Sequence, residues 1–225
     1  LRHRRWVLVY AIFEIAIPFP LIAFGEERVS SSIAAILIAA TPLIVAALAR
    51  AFDHRERVGG RRLAGLVIGF AGVVALVGVD IAGEGDEVVG TIAILVAAIG
   101  YAIGPMTLQA RLSDVDPLAI MAGALVIATI VLTPLAAATP PDLPLEGVAL
   151  GSIIVLGLFC TAAAFVLFGA LVIDIGAARA LVITYISPLV ALIAGVVVLG
   201  ESPGPGALIG LPLILGGSWL ATQGE

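Results

Sequence analysis

Charge is what this chain has least of. Of its 225 residues only 12% are charged, against 61% hydrophobic, and the mean hydropathy is +1.22. A soluble globular chain carries about 25% charged and about 45–50% apolar residues. This one has too little polar surface to cover a folded body in water, so lipid must be its solvent. Lysine is absent, and all eleven basic residues are arginine. The single Cys160 excludes a disulfide framework and a multi-cysteine metal site; its apolar surroundings read as those of a small buried hydrophobe. The two histidines, His3 and His54, both sit among arginines. The sequence contains no HExxH, no GxSxG and no glycine-rich phosphate loop. The sequence therefore gives no sign of an enzyme and implies no cofactor and no metal. The arginines are scattered, so no nucleic-acid surface is expected either.

The N-terminal Leu1-Arg2-His3-Arg4-Arg5, followed by an apolar run, imitates a signal peptide. Glu14 inside the run, the lack of a small-x-small cleavage site and the seven apolar runs that follow argue against one. A spanning helix needs about 20 apolar residues. Uncharged runs occur at Val29–Ala49, Leu63–Val79, Val88–Ala110, Pro117–Pro141, Gly147–Ile173, Ala180–Gly200 and Ser202–Gly224, and Trp6–Gly25 is broken only by Glu14. They are long and do not alternate, as barrel strands would, and inside lipid a helix pairs its own backbone groups. The expected fold is an all-α integral membrane bundle of about eight spans.

Charge placement then gives orientation. With alternate inter-span segments on alternate sides, ten arginines fall on one side and only Arg28 on the other. The arginine-poor side collects Glu26, Glu27, Asp80, Glu84, Asp86, Glu87, Asp142, Glu146 and Glu201. The positive-inside rule makes the arginine-rich side cytoplasmic. Both ends of the chain then face the cytoplasm, in a plasma or inner cell membrane.

The chain also repeats itself. The stretch from Ser32 to Thr41-Pro42-Leu43 reads like that from Ala178 to Ser187-Pro188-Leu189, at a spacing of 146 residues. Phe19 and Leu21 match Phe165 and Leu167 at the same spacing. After a one-residue slip, Glu56 matches Glu201, Gly65-Leu66 matches Gly210-Leu211, and Gly72 matches Gly217. Five spans separate equivalent points, and an odd number inverts one copy relative to the other. Inverted repeats are a common architecture of secondary transporters, since two such halves can exchange conformations and open each face in turn. If 83–225 is a complete five-span unit, then 1–82 holds only the last three spans of the first copy. The chain then carries about eight of an expected ten spans, in agreement with its start at Leu1 rather than Met.

At this point the sequence resembles the EamA-like transporters of the drug/metabolite transporter superfamily. The resemblance rests on "SSSIAAILIAATPLIVAALAR" and "GAARALVITYISPLVALIAGVVVLGE", each a small-residue helix with a mid-span proline. Each is followed by a glycine-rich span, "LAGLVIGFAGVVALVG" and "ALIGLPLILGGSWLA". It implies a ten-span carrier of two inverted five-span repeats that moves a small organic metabolite, amino-acid-like, nucleotide-related or drug-like, usually outward. The partners implied are that solute and the bilayer, with a homodimer left open. The alternative from another class is a non-transporting membrane scaffold or membrane-enzyme subunit. An enzyme should converge two or more ionisable groups at mid-depth, and Glu14 stands alone.

Glu14 is the sharpest site candidate. A carboxylate at mid-depth costs about 2.5–3.5 kcal/mol on the lenient insertion scale, so it should face a cavity or a partner, where it could couple protons or meet a substrate amine. Pro42 and Pro188 each remove a backbone donor in mid-span and are expected to kink their helices. Thr41, Thr184, Tyr185 and Ser187 cluster around these kinks and could offer hydroxyls to a cavity; Tyr101 and Gln109 are weaker candidates. Arg179, at the cytoplasmic start of its span, is expected to anchor at the headgroups or to meet an anion. The glycine rows Gly65, Gly69, Gly72 and Gly206, Gly210, Gly217 are read as close-packing faces. Glu56 and Glu201 are expected to end their spans in water.

Overall fold

The computed structural model describes residues 3–52, 60–80, 85–140, 147–167 and 183–222. Among them every regular element is helical, as long apolar runs in lipid require. The elements are α1 (Arg4–Ala11), a π-helical stretch (Ile12–Ala16), α2 (Pro18–Glu26), α3 (Ser31–Ile38), α4 (Thr41–Phe52), α5 (Gly60–Asp80), α6 (Gly85–Arg111), α7 (Pro117–Ala138), α8 (Gly147–Val155) running into a second π-helical stretch (Leu156–Ala163), α9 (Ile183–Leu199) and α10 (Pro205–Thr222). Among the described residues, four helices are long and apolar enough to cross a membrane: Arg4–Glu26, Gly85–Arg111, Pro117–Ala138 and Gly147–Leu167. Four shorter apolar helices lie at Ser31–Val45, Leu63–Leu76, Ile186–Leu199 and Pro205–Ala221. Together they fall on the eight apolar runs. Large side chains point outward along them, with Phe70 at 68% and Val197 at 76% exposure, as expected where lipid rather than water surrounds the helices.

The chain divides into two compact units, each drawing on both halves of the sequence. The first comprises 1–16 and 107–182. Its core packs Tyr10, Ala11 and Ile15 of the first span against Ile120, Ala124 and Ala128 of α7. At the arginine-rich end, the Arg5 and Arg111 guanidiniums lie over the Trp6 ring at 5.2 and 4.8 Å from its centroid. His3 Nε2 sits 3.5 Å from Asp114. An amphipathic Trp held between cations suits a membrane–water interface.

The second unit comprises 17–106 and 183–225. Its core joins Ile36 and Leu37 of α3, Leu76 of α5, Ile94 of α6 and Ala207, Leu211 and Ile214 of α10. Its tightest contact is between α5 and α10. Gly65 faces Gly217 and Ala221, while Gly72 faces Gly210 and Ile214, so the two helices run antiparallel. A Cβ on Gly72 would stand 2.9 Å from the Gly210 carbonyl oxygen, and one on Gly210 would stand 2.8 Å from that of Gly72. Glycine here lets two backbones touch, which in lipid replaces the hydrophobic drive as the source of adhesion.

The two mid-span prolines behave differently. Residues 39 and 40 form a turn that separates α3 from α4, and Pro42 is the second residue of α4. A proline there removes an N–H that the first turn of a helix leaves unpaired anyway. Pro188 instead lies inside α9, which is continuous from Ile183 to Leu199. The expected kink is therefore a helix break at Pro42, whereas α9 runs on through Pro188.

Candidate functional site

Glu14 lies in the π-helical stretch Ile12–Ala16. The cause is legible four residues on. A proline clashes with the carbonyl of residue i−4 and cannot bond it; for Pro18 that carbonyl belongs to Glu14, and for Pro20 it belongs to Ala16. The helix relieves the conflict by widening to the i→i+5 register before α2 resumes. The Oε2 atom of Glu14 is buried and has no hydrogen-bond partner among the described residues. Its immediate setting is apolar, with Ala11, Ile15 and Ala16 buried around it and Tyr10 one turn earlier at 3% exposure. A carboxyl without a partner in such a place is costly to keep.

Of the other candidates described, all but Gln109 belong to the second unit. Thr41 Oγ1 donates to the Ile38 carbonyl at 2.6 Å. That hydroxyl spends its proton on the end of α3 at the break. Pro42 follows it, half-buried. Pro188 is buried within α9, Ser187 beside it is exposed, and Thr184 and Tyr185 lie on the first turn of the same helix. Tyr101 is half-buried on α6, four residues before Pro105, and Gln109 is exposed near its end. Thr41, Pro42, Tyr101, Thr184, Tyr185 and Pro188 thus share one compact unit, and Glu14 is in the other. Arg179 and Glu56 lie outside the described residues.

Glu201 corrects the sequence reading, which left it in water. Oε1 accepts from Ser31 N at 3.0 Å and Ser31 Oγ at 2.7 Å. Oε2 accepts from Ser32 N at 3.1 Å and from Ser32 Oγ. One carboxylate thus caps the start of α3 across 170 residues of sequence. Ser30, the N-cap residue, accepts from Ile33 N at 3.3 Å. Gly200 makes the reach possible: its φ of 69° is left-handed, and the reversal lets Glu201 N donate to Gly195 O at 3.0 Å. Burial alone would raise the Glu201 carboxyl; the hydrogen bonds from Ser32 and Ser31 outweigh it and hold the group below the usual carboxylate range. The signal for this contact was the run Ser30-Ser31-Ser32 at a helix start with no acidic residue in its own first turn.

A sequence model of the EamA-like transporter family matches residues 1–78 and 88–223, nearly the whole chain. The chain belongs to the EamA-like transporter family. It is a member of the drug/metabolite transporter superfamily, a multi-pass membrane transporter, and its family and relatives are transporters rather than enzymes. Among curated relatives, an uncharacterized transporter of Archaeoglobus fulgidus is 27% identical over 217 residues, covering 96% of this chain and 77% of that protein. A protein of Streptantibioticus cattleyicolor named a "probable terminal-alkyne amino-acid exporter" is 30% identical over 206 residues, covering 90% of this chain and 68% of that one. A solved crystal structure aligns with 96% of this EamA-like chain and 75% of its own at a TM-score of 0.65. At 22% identity that likeness speaks for the fold alone.

Proposed function

We propose that this EamA-like protein is a secondary carrier that exports or exchanges a small organic solute by alternating access, with Glu14 as its proton- or amine-binding carboxyl. The observation that carries the reading is the buried Glu14 oxygen, unpartnered among the described residues, in a helix that Pro18 has forced out of α-register. Irregular helix around a polar group at membrane depth is where solute and ion sites are built. An amino-acid-like solute is favoured by the name of the 30% identical relative, a "probable terminal-alkyne amino-acid exporter".

Three features support inverted repeats at 1–82 and 83–225. The antiparallel pair α5 and α10 consists of the two glycine-rich helices that match in sequence. The end of α9 meets the start of α3 through Glu201, so the two matched proline-bearing segments enter from opposite ends of their unit. The two π-helical stretches also stand at the repeat spacing of 146, which sets Cys160 opposite Glu14. The arginine-rich face is the cytoplasmic one in this reading, with the membrane that of the cell.

The test is solute flux in proteoliposomes of the full-length protein, native against Glu14→Gln, across an imposed pH gradient. The proposal expects pH-driven flux in the native protein and its loss in the variant, with folding intact. Equal gradient-driven flux in both would remove Glu14 from the mechanism. A folded native protein that moves none of a panel of amino acids, nucleosides and organic amines would remove the carrier reading itself.

A further inference from the structure

By charge placement Arg28 is the one arginine on the acidic side of the membrane, and anchoring to cytoplasmic headgroups gives no reason for it. In the structure its side chain folds back on the end of α2. Nη1 donates to the Phe24 carbonyl at 2.6 Å and pairs with Glu27 Oε2 at 3.2 Å, and the guanidinium lies 3.6 Å from the centroid of the Phe24 ring. Those contacts occupy one nitrogen and one face of the fork. Nε and Nη2 keep donors with no partner among the described residues. Arg28 borders a cavity of about 410 Å3 in the second unit, whose wall also carries Ser30, Glu87 and Ser202. That volume falls within the range of about 300–1,000 Å3 usual for small-molecule sites. The Arg28 stem rests on Gly90, where a Cβ would stand 2.8 Å from it, and Glu87 lies one turn earlier on the same helix. Arg28 and Glu87 line the same space, yet they form no ion pair with each other.

A cation that Glu27 engages through one nitrogen only, and a carboxylate with no partner among the described residues, border one small cavity without pairing across it, which suits a ligand bearing both charges. We propose that this cavity binds a small zwitterion of the α-amino-acid type, its carboxylate on the free fork of Arg28 and its ammonium on Glu87. Guanidinium and carboxylate match in a planar, two-bond geometry, and the hydroxyls of Ser30 and Ser202 add polar wall on either side. The inference rests on the carrier reading and places a solute site at the arginine-poor end of the second unit, separate in sequence and in unit from Glu14. It is an entry or release station and not the coupling site.

The experiment is a thermal-shift titration of the full-length protein in detergent with each of the twenty protein amino acids, run on native protein, Arg28→Gln, Glu87→Gln and Asp86→Asn. At least one amino acid should raise the native Tm. Arg28→Gln and Glu87→Gln should each weaken that ligand at least tenfold, while Asp86→Asn, which removes an exposed charge next to Glu87 but outside the cavity wall, keeps the native affinity. The amide of the same amino acid should lose its dependence on Arg28 and keep its dependence on Glu87. Glu87 makes no hydrogen bond or ion pair in the described structure, so its variant remains informative if Arg28→Gln fails to fold. No shift with any amino acid, or a shift that survives in both cavity variants, overturns the proposal. The carrier reading is judged separately by the flux assay, and flux that persists in the cavity variants leaves it standing.

Discussion

Removing the Glu201 carboxylate should destabilise the protein far more than its position in a loop suggests. Among the described residues it is the only acceptor given to four donors, two of them backbone N–H groups in the first turn of α3. Losing an N-cap acceptor costs about 0.5–2 kcal/mol, and losing a negative charge at a helix N-terminus adds about 0.3–1 kcal/mol. The group is partly exposed, and water takes over some of the lost bonds, so Glu201→Ala should cost about 2–3 kcal/mol rather than the sum of four charge-assisted bonds. Glu201→Gln keeps one oxygen acceptor and should cost about half as much. At about 2–4 °C per kcal/mol for a chain of this size, the alanine variant should melt about 4–12 °C lower in a detergent thermal scan. The pH dependence has a definite sign. The folded carboxyl lies below its ordinary range, so its contribution is present above that range and is lost as pH falls through its own depressed value. The gap between native protein and Glu201→Gln should therefore close in acid. A Glu201→Ala variant within about 0.5 kcal/mol of native, or a gap that widens in acid, would refute the capping argument.

Gly217→Leu should separate α5 from α10, because its Cβ would meet the Gly69 backbone rather than a side chain that could move. A loss of at least about 3 kcal/mol, at the upper end of the cost of overpacking, is expected as early aggregation in size-exclusion profiles, whereas Gly216→Leu, with open space at its Cβ, should be tolerated. Gly200→Val should cost about 1–2 kcal/mol, since a β-branched residue resists the φ of 69°; it should lower Tm alongside Glu201→Ala without adding fully to it, because both act on one turn. Pro18→Ala should let the first span return to α-register and turn Glu14. Tm should hold or rise while solute flux falls, and unchanged flux would show that the π-helical stretch has no part in transport.

Much of the architecture could be read before any coordinates. The eight apolar runs became eight apolar helices, four of them long enough among the described residues to cross a membrane, because in lipid length and hydropathy decide the matter. The glycine rows became the α5–α10 contact because their spacing puts small residues on one face. What was not legible depended on pairs far apart in sequence. Glu201 looked solvated because it follows Gly200 at the end of a span, and its partners Ser31 and Ser32 lie 170 and 169 residues away. The π-helical stretch at Glu14 was readable in principle from Pro18 and Pro20, which block the carbonyls of Glu14 and Ala16. Thr41, a candidate cavity hydroxyl, donates its proton to the Ile38 carbonyl at the α3–α4 break. Periodicity finds a helix but does not say which of its hydroxyls the backbone itself will take.

The most direct measurement is counterflow. Proteoliposomes of the full-length protein are preloaded with an unlabelled solute that it moves, and uptake of the same labelled solute is followed with no ion gradient. A site that faces one compartment at a time predicts a transient overshoot of label that grows with the internal load. Uptake indifferent to the load would contradict alternating access and leave a pore or a scaffold in its place.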